Sequence, residues 1–279
     1  MRYTHLRNAT GLLEWGGRAI LIDPMLGDAG SLPGFRLFDG LKRPNPLVEL
    51  PASTADALSR TTDVLVTHTH IDHLDPAGVA WTIERGLPVW CAGVDVKHLR
   101  KQGLDARVAT GEAMGVPVEV TPGDHGTGIV GWLMGPVSGL YMAPVEEPSV
   151  YLTGDTVLSD GVRTTVERLR PDVIVAPGGS ANFGKGPDIL FSIDEMVELV
   201  RICDAMVVFN HLEAIDHCPT TRADLRARFE REGLIDRVRV PEDGESVELL
   251  RVTSGPHTPA GPPDRRRPGF QKWLTSKLG

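Results

Sequence analysis

Short apolar runs separated by polar turns open the chain. Thr4–Arg7, Gly11–Trp15 and Arg18–Ile22 read as strands, and Gly16-Gly17 between the last two is a hairpin signal. Asp23 to Pro51 has no hydrophobic period, is rich in Gly and Pro, and reads as a long loop. Loops of that length carry function or stay disordered. Further on, apolar runs alternate with helical patterns. Val64–Val66, Val89–Cys91, Val116–Val120, Val150–Thr153, Val173–Val175, Met206–Phe209, Val238–Val240 and Val247–Leu250 read as strands. Pro76–Arg85, Val94–Gln102 and Val162–Leu169 read as helices. Ser192 with Glu195 is a capping box opening a helix to about Cys203, and Pro219 and Thr221, with Asp224 three residues on, open another to Glu232. Strands interleaved with helices predict an α/β or α+β layered architecture.

Gly126 to Val145 carries no charge and has the length of a membrane span. Its five glycines, Pro136 and Pro144 argue against a spanning helix. Two short strands, Ile129–Met134 and Leu140–Met142, joined by a turn over Gly135–Gly139, are the expectation.

Composition bounds the function. With 29 Lys+Arg against 37 Asp+Glu, the net charge of −8 disfavours a nucleic-acid footprint. Cys91, Cys203 and Cys218 are isolated, an odd count that gives neither a disulfide framework nor a thiolate zinc site. The opening residues lack the apolar core of a signal peptide, and a cytoplasmic protein without membrane attachment is expected. Residues 1–253 read as one domain. Residues 254–279, with Arg265-Arg266-Arg267 and several Pro and Gly, read as a flexible basic tail, the alternative being an anionic docking segment.

The chemistry concentrates in Thr67-His68-Thr69-His70-Ile71-Asp72-His73-Leu74-Asp75, directly after the strand ending at Val66. Three imidazoles and two carboxylates so close together do not make a core, since each would be buried without a partner. In an extended segment His68 and His70 point to the same side and can reach one ion. After a turn, Asp72 and His73 can present an oxygen and a nitrogen to a second. Imidazole and carboxylate suit Zn²⁺ first, then Mn²⁺ or Fe²⁺. Asp75-Pro76 reads as the cap and first residue of the following helix.

The His-x-His-x-Asp-His pattern resembles the signature of the metallo-β-lactamase-fold superfamily. Other segments match in chain order: Gly123-Asp124-His125-Gly126, Leu152-Thr153-Gly154-Asp155-Thr156 and Val207-Val208-Phe209-Asn210-His211. Ile20-Leu21-Ile22-Asp23-Pro24 and the Thr-Gly-Asp-Thr stretch resemble the branch typified by ascorbate-6-phosphate lactonase. The resemblance spans roughly residues 2–250 and implies a four-layer αββα sandwich. It implies His68, His70 and His125 on one metal, Asp72, His73 and His211 on a second, and Asp155 bridging. Asp72 and His211 would thereby be catalytic as well as ligating. His217, six residues past His211, competes as last ligand or meets substrate. Asp124, inserted before His125 where many members have Gly-His, either orients an imidazole or is solvated.

The resemblance implies a dinuclear zinc hydrolase acting on a small-molecule lactone, ester, amide or phosphoester through a metal-bridging hydroxide. A nuclease or phosphodiesterase of the same fold and a non-catalytic metal-stabilised binding protein are the alternatives. An oxygen-reducing di-iron member is disfavoured, because His70 stands where those usually hold Glu. The glycine-rich segment Ala176–Gly186 offers Asn182, Phe183 and Lys185 as substrate contacts, the alternative being a mobile polar loop, and Glu213, His217, Cys218 and Arg222 after His211 form another candidate wall. A homo-oligomer is left open.

Overall fold

Along β3 (Arg18–Ile22), Ile20 and Ile22 join one apolar cluster and Leu21 another. The same alternation runs through β4 (Asp63–Val66), where Leu65 faces opposite to Val64 and Val66. It recurs in β12 (Met206–Asn210), where Val208 faces opposite to Val207 and Phe209. Side chains alternate with period two, so a strand apolar at every position is covered on both faces. These runs therefore belong to the interior of a layered molecule.

The computed structural model describes residues 1–252. The expected tail, residues 254–279, lies outside the described residues. One seven-stranded sheet has the order β14-β1-β2-β3-β4-β5-β6, adding β1 (Arg2–Arg7), β2 (Thr10–Trp15), β5 (Pro88–Cys91), β6 (Asp105–Val108) and β14 (Ser246–Glu248). The second has the order β13-β12-β11-β10-β9-β8-β7, with β7 (Gly111–Ala113), β8 (Val116–Asp124), β9 (Pro136–Met142), β10 (Val150–Leu152), β11 (Val173–Pro177) and β13 (Val238–Arg239). In each sheet an antiparallel portion leads into parallel strands: β3 to β6 in the first, β10 to β13 in the second.

A cluster including Tyr3, Ile20, Leu65, Leu140, Leu152 and Val208 lies between the sheets. Helices α1 (Thr54–Arg60), α2 (Pro76–Arg85) and α3 (Val96–Lys101) cover the outer face of the first sheet through Ala57, Val79, Val96 and Leu99. Helices α5 (Asp160–Leu169), α6 (Ile193–Ile202) and α7 (Arg222–Arg231) cover the second through Val166, Leu199 and Phe229. The expected αββα sandwich of the metallo-β-lactamase fold is thus the observed architecture. The capping boxes at Ser192/Glu195 and Thr221/Asp224 are both formed.

The segment 126–145 departs from expectation. Residues 128–134 form helix α4 (Gly128–Met134), not a strand. A helical period sorts the run by face. Ile129, Trp132 and Leu133 point to solvent, while Val130 and Met134 pack with Phe35 and Phe183 on a fourth apolar cluster. A run without polar residues hides that sorting from the sequence. The expected turn at Gly135–Gly139 is also mostly strand. Gly135 takes the corner at φ +84°, and β9 then pairs with β8 from Asp124↔Pro136 onward. Gly139 is required by close approach, since a Cβ there would sit 2.7 Å from the Tyr151 ring and 2.9 Å from the Leu152 carbonyl. Among the described residues no helix is long and apolar enough to cross a membrane.

Candidate metal centre

The potential ligands leave the strands at their carboxyl ends, where open α/β sheets place ligands. His68, His70, Asp72 and His73 follow β4, His125 follows β8, Asp155 follows β10, and His211 follows β12. Four segments distant in sequence thereby converge on one edge of the sandwich. Donor atoms of His68, His70 and His125 all lie within 4.8 Å of one another. A second group with the same spacing comprises Asp72, His73, Asp155 and His211.

The two groups meet at Asp155. Its Oδ2 lies 3.1 Å from His73 Nε2, 3.3 Å from His211 Nε2 and 3.7 Å from His125 Nε2. Asp72 Oδ2 is 3.4 Å from His211 Nε2, and His68 Nε2 is 3.0 Å from His70 Nδ1. The sequence left His211 and His217 in competition; the geometry groups His211 with the carboxylates and leaves His217 outside both sets.

The other ring nitrogens all face protein partners. His73 Nδ1 meets Asp23 Oδ2 at 2.8 Å, His125 Nδ1 the Ile189 carbonyl at 2.9 Å and His70 Nε2 the Met134 carbonyl at 3.2 Å. His68 Nδ1 meets Thr67 Oγ1 at 3.2 Å, and His211 Nδ1 meets Cys218 Sγ at 3.4 Å. By contrast, Nε2 of His73 and of His211 is buried with no hydrogen-bond partner. Metal-binding imidazoles have this arrangement, one nitrogen fixed from behind and the other turned inward. The residues present fit a divalent cation on chemistry and on these orphaned atoms.

Charge points the same way. Burial holds the imidazoles of His68 and His125 below their usual range, so both stay neutral, the ligating form. Burial opposes charge on His73 too, yet the carboxylates of Asp155 and Asp23 lift it to about 10. His211 is raised by Asp155 against the same penalty. Asp155 and Asp72, although buried, are held far below the usual carboxylate range by the neighbouring histidines. In this half imidazoles and carboxylates pair as opposite charges, and a bound cation would take the place of the imidazole protons.

Two supporting residues were not picked out as site residues from the sequence. Asp23, at the end of β3 with φ +46°, accepts from the Thr67 N–H and hydroxyl as well as from His73. Asn8, in the β1–β2 turn at φ +55°, donates through Nδ2 to the Asp72 carbonyl and accepts at its own carbonyl from the His211 N–H. The one available signal for Asn8 was a buried-type turn position, an Asn able to hold left-handed backbone. Asp75 acts as expected, capping α2 through the Gly78 N–H, and also accepts from Leu26 and Gly27 N–H groups of the long loop.

Of the expected substrate contacts, His217 is buried, with its ring edge-on to Phe35 at 5.2 Å and to His211 at 6.4 Å. Phe183 stacks on it at 6.5 Å, and the Asn182 N–H donates to the His217 carbonyl. Burial pushes the His217 imidazole down to about 4, so it is neutral at physiological pH. Lys185 is exposed at the tip of the segment. Asp124 is exposed, the solvated alternative.

The profile of the Beta-lactamase superfamily domain matches residues 18–212, which contain all seven residues of the two donor groups. The chain belongs to the beta-lactamase superfamily. Within it, the chain is 29% identical over 253 residues to the UPF0173 protein YddR of Bacillus subtilis, covering 88% of this chain and 99% of that one. It is 27% identical to a UPF0173 metal-dependent hydrolase of Methanoculleus marisnigri, over 89% of this chain and 97% of that one. Among solved structures, a "possible metal-dependent hydrolase" of Veillonella parvula superposes with a TM-score of 0.82 at 34% identity, covering 90% of this chain and 99% of that one. An isothiocyanate hydrolase from Delia radicum gut bacteria superposes with a TM-score of 0.80 at 31% identity, covering 89% and 99%. This superfamily member is a metal-dependent hydrolase of the metallo-β-lactamase fold.

Proposed function

We propose that the chain is a dinuclear hydrolase, zinc its metal, acting on a small-molecule electrophile. His68, His70 and His125 would hold one ion, Asp72, His73 and His211 would hold the other, and Asp155 would serve both sets. The observation carrying this reading is the position of Asp155 Oδ2, within 3.1 to 3.7 Å of inward nitrogens from both groups. Divalent ions bound there supply Lewis-acid polarisation of the scissile group and a nucleophile at neutral pH. Mn²⁺ or Fe²⁺ would suit the same donors.

The chain's own residues do the positioning. Asp23 and Asn8 fix the ligands, and Asp72 beside His211 orients the nucleophile. The apolar cluster of Met25, Leu32, Ile189 and Ile215, with Phe35 and Phe183 packed against it, excludes water on the side of His217. His217, neutral and with Nδ1 buried and unpartnered, hydrogen-bonds the substrate. Asn182 and Phe183 border that space, and Lys185 stands at its rim.

Lactones, esters, amides and phosphoesters are the substrate classes this machinery suits. The similarity to an isothiocyanate hydrolase adds a heterocumulene carbon to that range. A small molecule rather than a nucleic acid agrees with the net charge of −8. The three free thiols agree with a reducing, cytoplasmic setting. The test is turnover by zinc-loaded protein on a panel of lactones, esters, phosphodiesters and isothiocyanates. Chelator-sensitive turnover on one class supports the reading; a loaded protein inert on all four classes contradicts it.

A further inference from the structure

Four of the five clustered histidines rest their outward nitrogen on oxygen, from Asp23, Thr67, Ile189 or Met134. His211 alone rests on sulfur, Cys218 Sγ at 3.4 Å from Nδ1. We propose that Cys218 is the positioning residue of His211, its sulfur accepting the Nδ1–H hydrogen bond that turns Nε2 toward Asp72 and Asp155. This rests on the metal-centre reading above and assigns a residue that reading does not use.

The surroundings are built for this contact. His211 leaves β12 with φ +54°, its N–H donating to the Asn8 carbonyl at 2.7 Å, so its backbone is pinned from one side. The segment after it returns within seven residues, and the Cys218 N–H donates to the Ile215 carbonyl. Gly179 fills the third side. A Cβ there would lie 2.6 Å from both Cys218 Cβ and Sγ and 2.5 Å from the His211 carbonyl. Only a glycine lets the loop after β11 press the thiol against the imidazole.

Sulfur is a weak acceptor. Since the partner of a ligating imidazole sets its orientation and basicity, His211 is held less firmly than His73, whose partner is the Asp23 carboxylate. Cysteine is also among the most buried residue types for packing alone, and a test must separate the two roles. Cys218→Val keeps apolar volume and removes the acceptor. Cys218→Ser keeps an acceptor and loses apolar character. Cys218→Ala removes both with least steric risk.

The measurement is zinc affinity, by competition with a chromophoric chelator, on metal-stripped protein whose folding is checked by thermal melting. Wild type should take up two ions. Cys218→Val and Cys218→Ala should weaken one of them by about 10-fold or more, the usual effect of removing such a partner. Cys218→Ser should stay within about threefold of wild type, well short of that loss. Wild-type affinity in the Val and Ala variants overturns the proposal, as does a Ser variant that weakens as much as Val. A wild-type protein that binds no zinc overturns the metal-centre reading itself, a distinct result.

Discussion

Asp23 Oδ2 accepts a hydrogen bond from His73 Nδ1 at 2.8 Å, across 50 residues of sequence. The carboxylate directly follows β3 and the imidazole lies in the loop after β4, and the parallel pairing of those strands brings them together. Asp23→Asn should fold yet weaken the ion on the His73 side by about 10- to 100-fold. Metal competition reads the effect; unchanged affinity would remove Asp23 from the centre.

His5 carries a prediction away from the centre. It is buried beside Asp243 at 3.2 Å and Arg222 at 3.3 Å. Burial pulls its imidazole below the ordinary range, against the raising effect of Asp243 and Glu242 and with that of Arg222. Below about pH 6.5, the ordinary value, the unfolded chain takes a proton that the folded one resists. His5 therefore contributes full stability above that pH and loses it as pH falls toward the folded value. Urea midpoints at pH 7.5 and 5.5 should fall less for His5→Gln than for wild type. Equal slopes would contradict the assignment.

Gly78 in the first turn of α2 supports the loop that begins at Asp23. A Cβ there would lie 1.8 Å from the Pro24 carbonyl, so Gly78→Ala must move helix or loop. Destabilisation of about 1–3 kcal/mol by urea unfolding is expected from such overpacking. A wild-type midpoint would show that the approach is not tight.

The proposed substrate contacts separate by burial. Phe183 packs on the apolar cluster and on His217, whereas Lys185 is exposed. On a neutral aromatic substrate, Phe183→Ala should raise KM about tenfold, the effect of losing roughly 1.4 kcal/mol of apolar contact. Lys185→Ala should leave KM unchanged. The reverse order would indicate an anionic substrate.

Much of the fold was legible because the layers impose a period. Ser192/Glu195 and Thr221/Asp224 announced their helices, and runs such as Val64–Val66 announced strands buried on both faces. Helix α4 was not legible, because Ile129 to Met134 holds no polar residue to mark its outer face. Strands β6 and β7 and helix α1 were missed as short elements with mixed polarity, formed by neighbours rather than by their own pattern. In the donor set, local spacing marked His68, His70, Asp72 and His73. His125, Asp155 and His211 emerged from chain order in the family resemblance. Asn8 offered only a turn position and Cys218 only a place in a polar cluster after His211; their contacts with His211 exist only once distant segments meet.

The most direct test of the central claim is zinc content, by elemental analysis of reloaded protein, for wild type beside Asp155→Ala. Two ions in wild type, with an ion and hydrolysis both lost in the variant, is the predicted result. Zinc-free wild type, or a variant keeping both ions and full turnover, would contradict it.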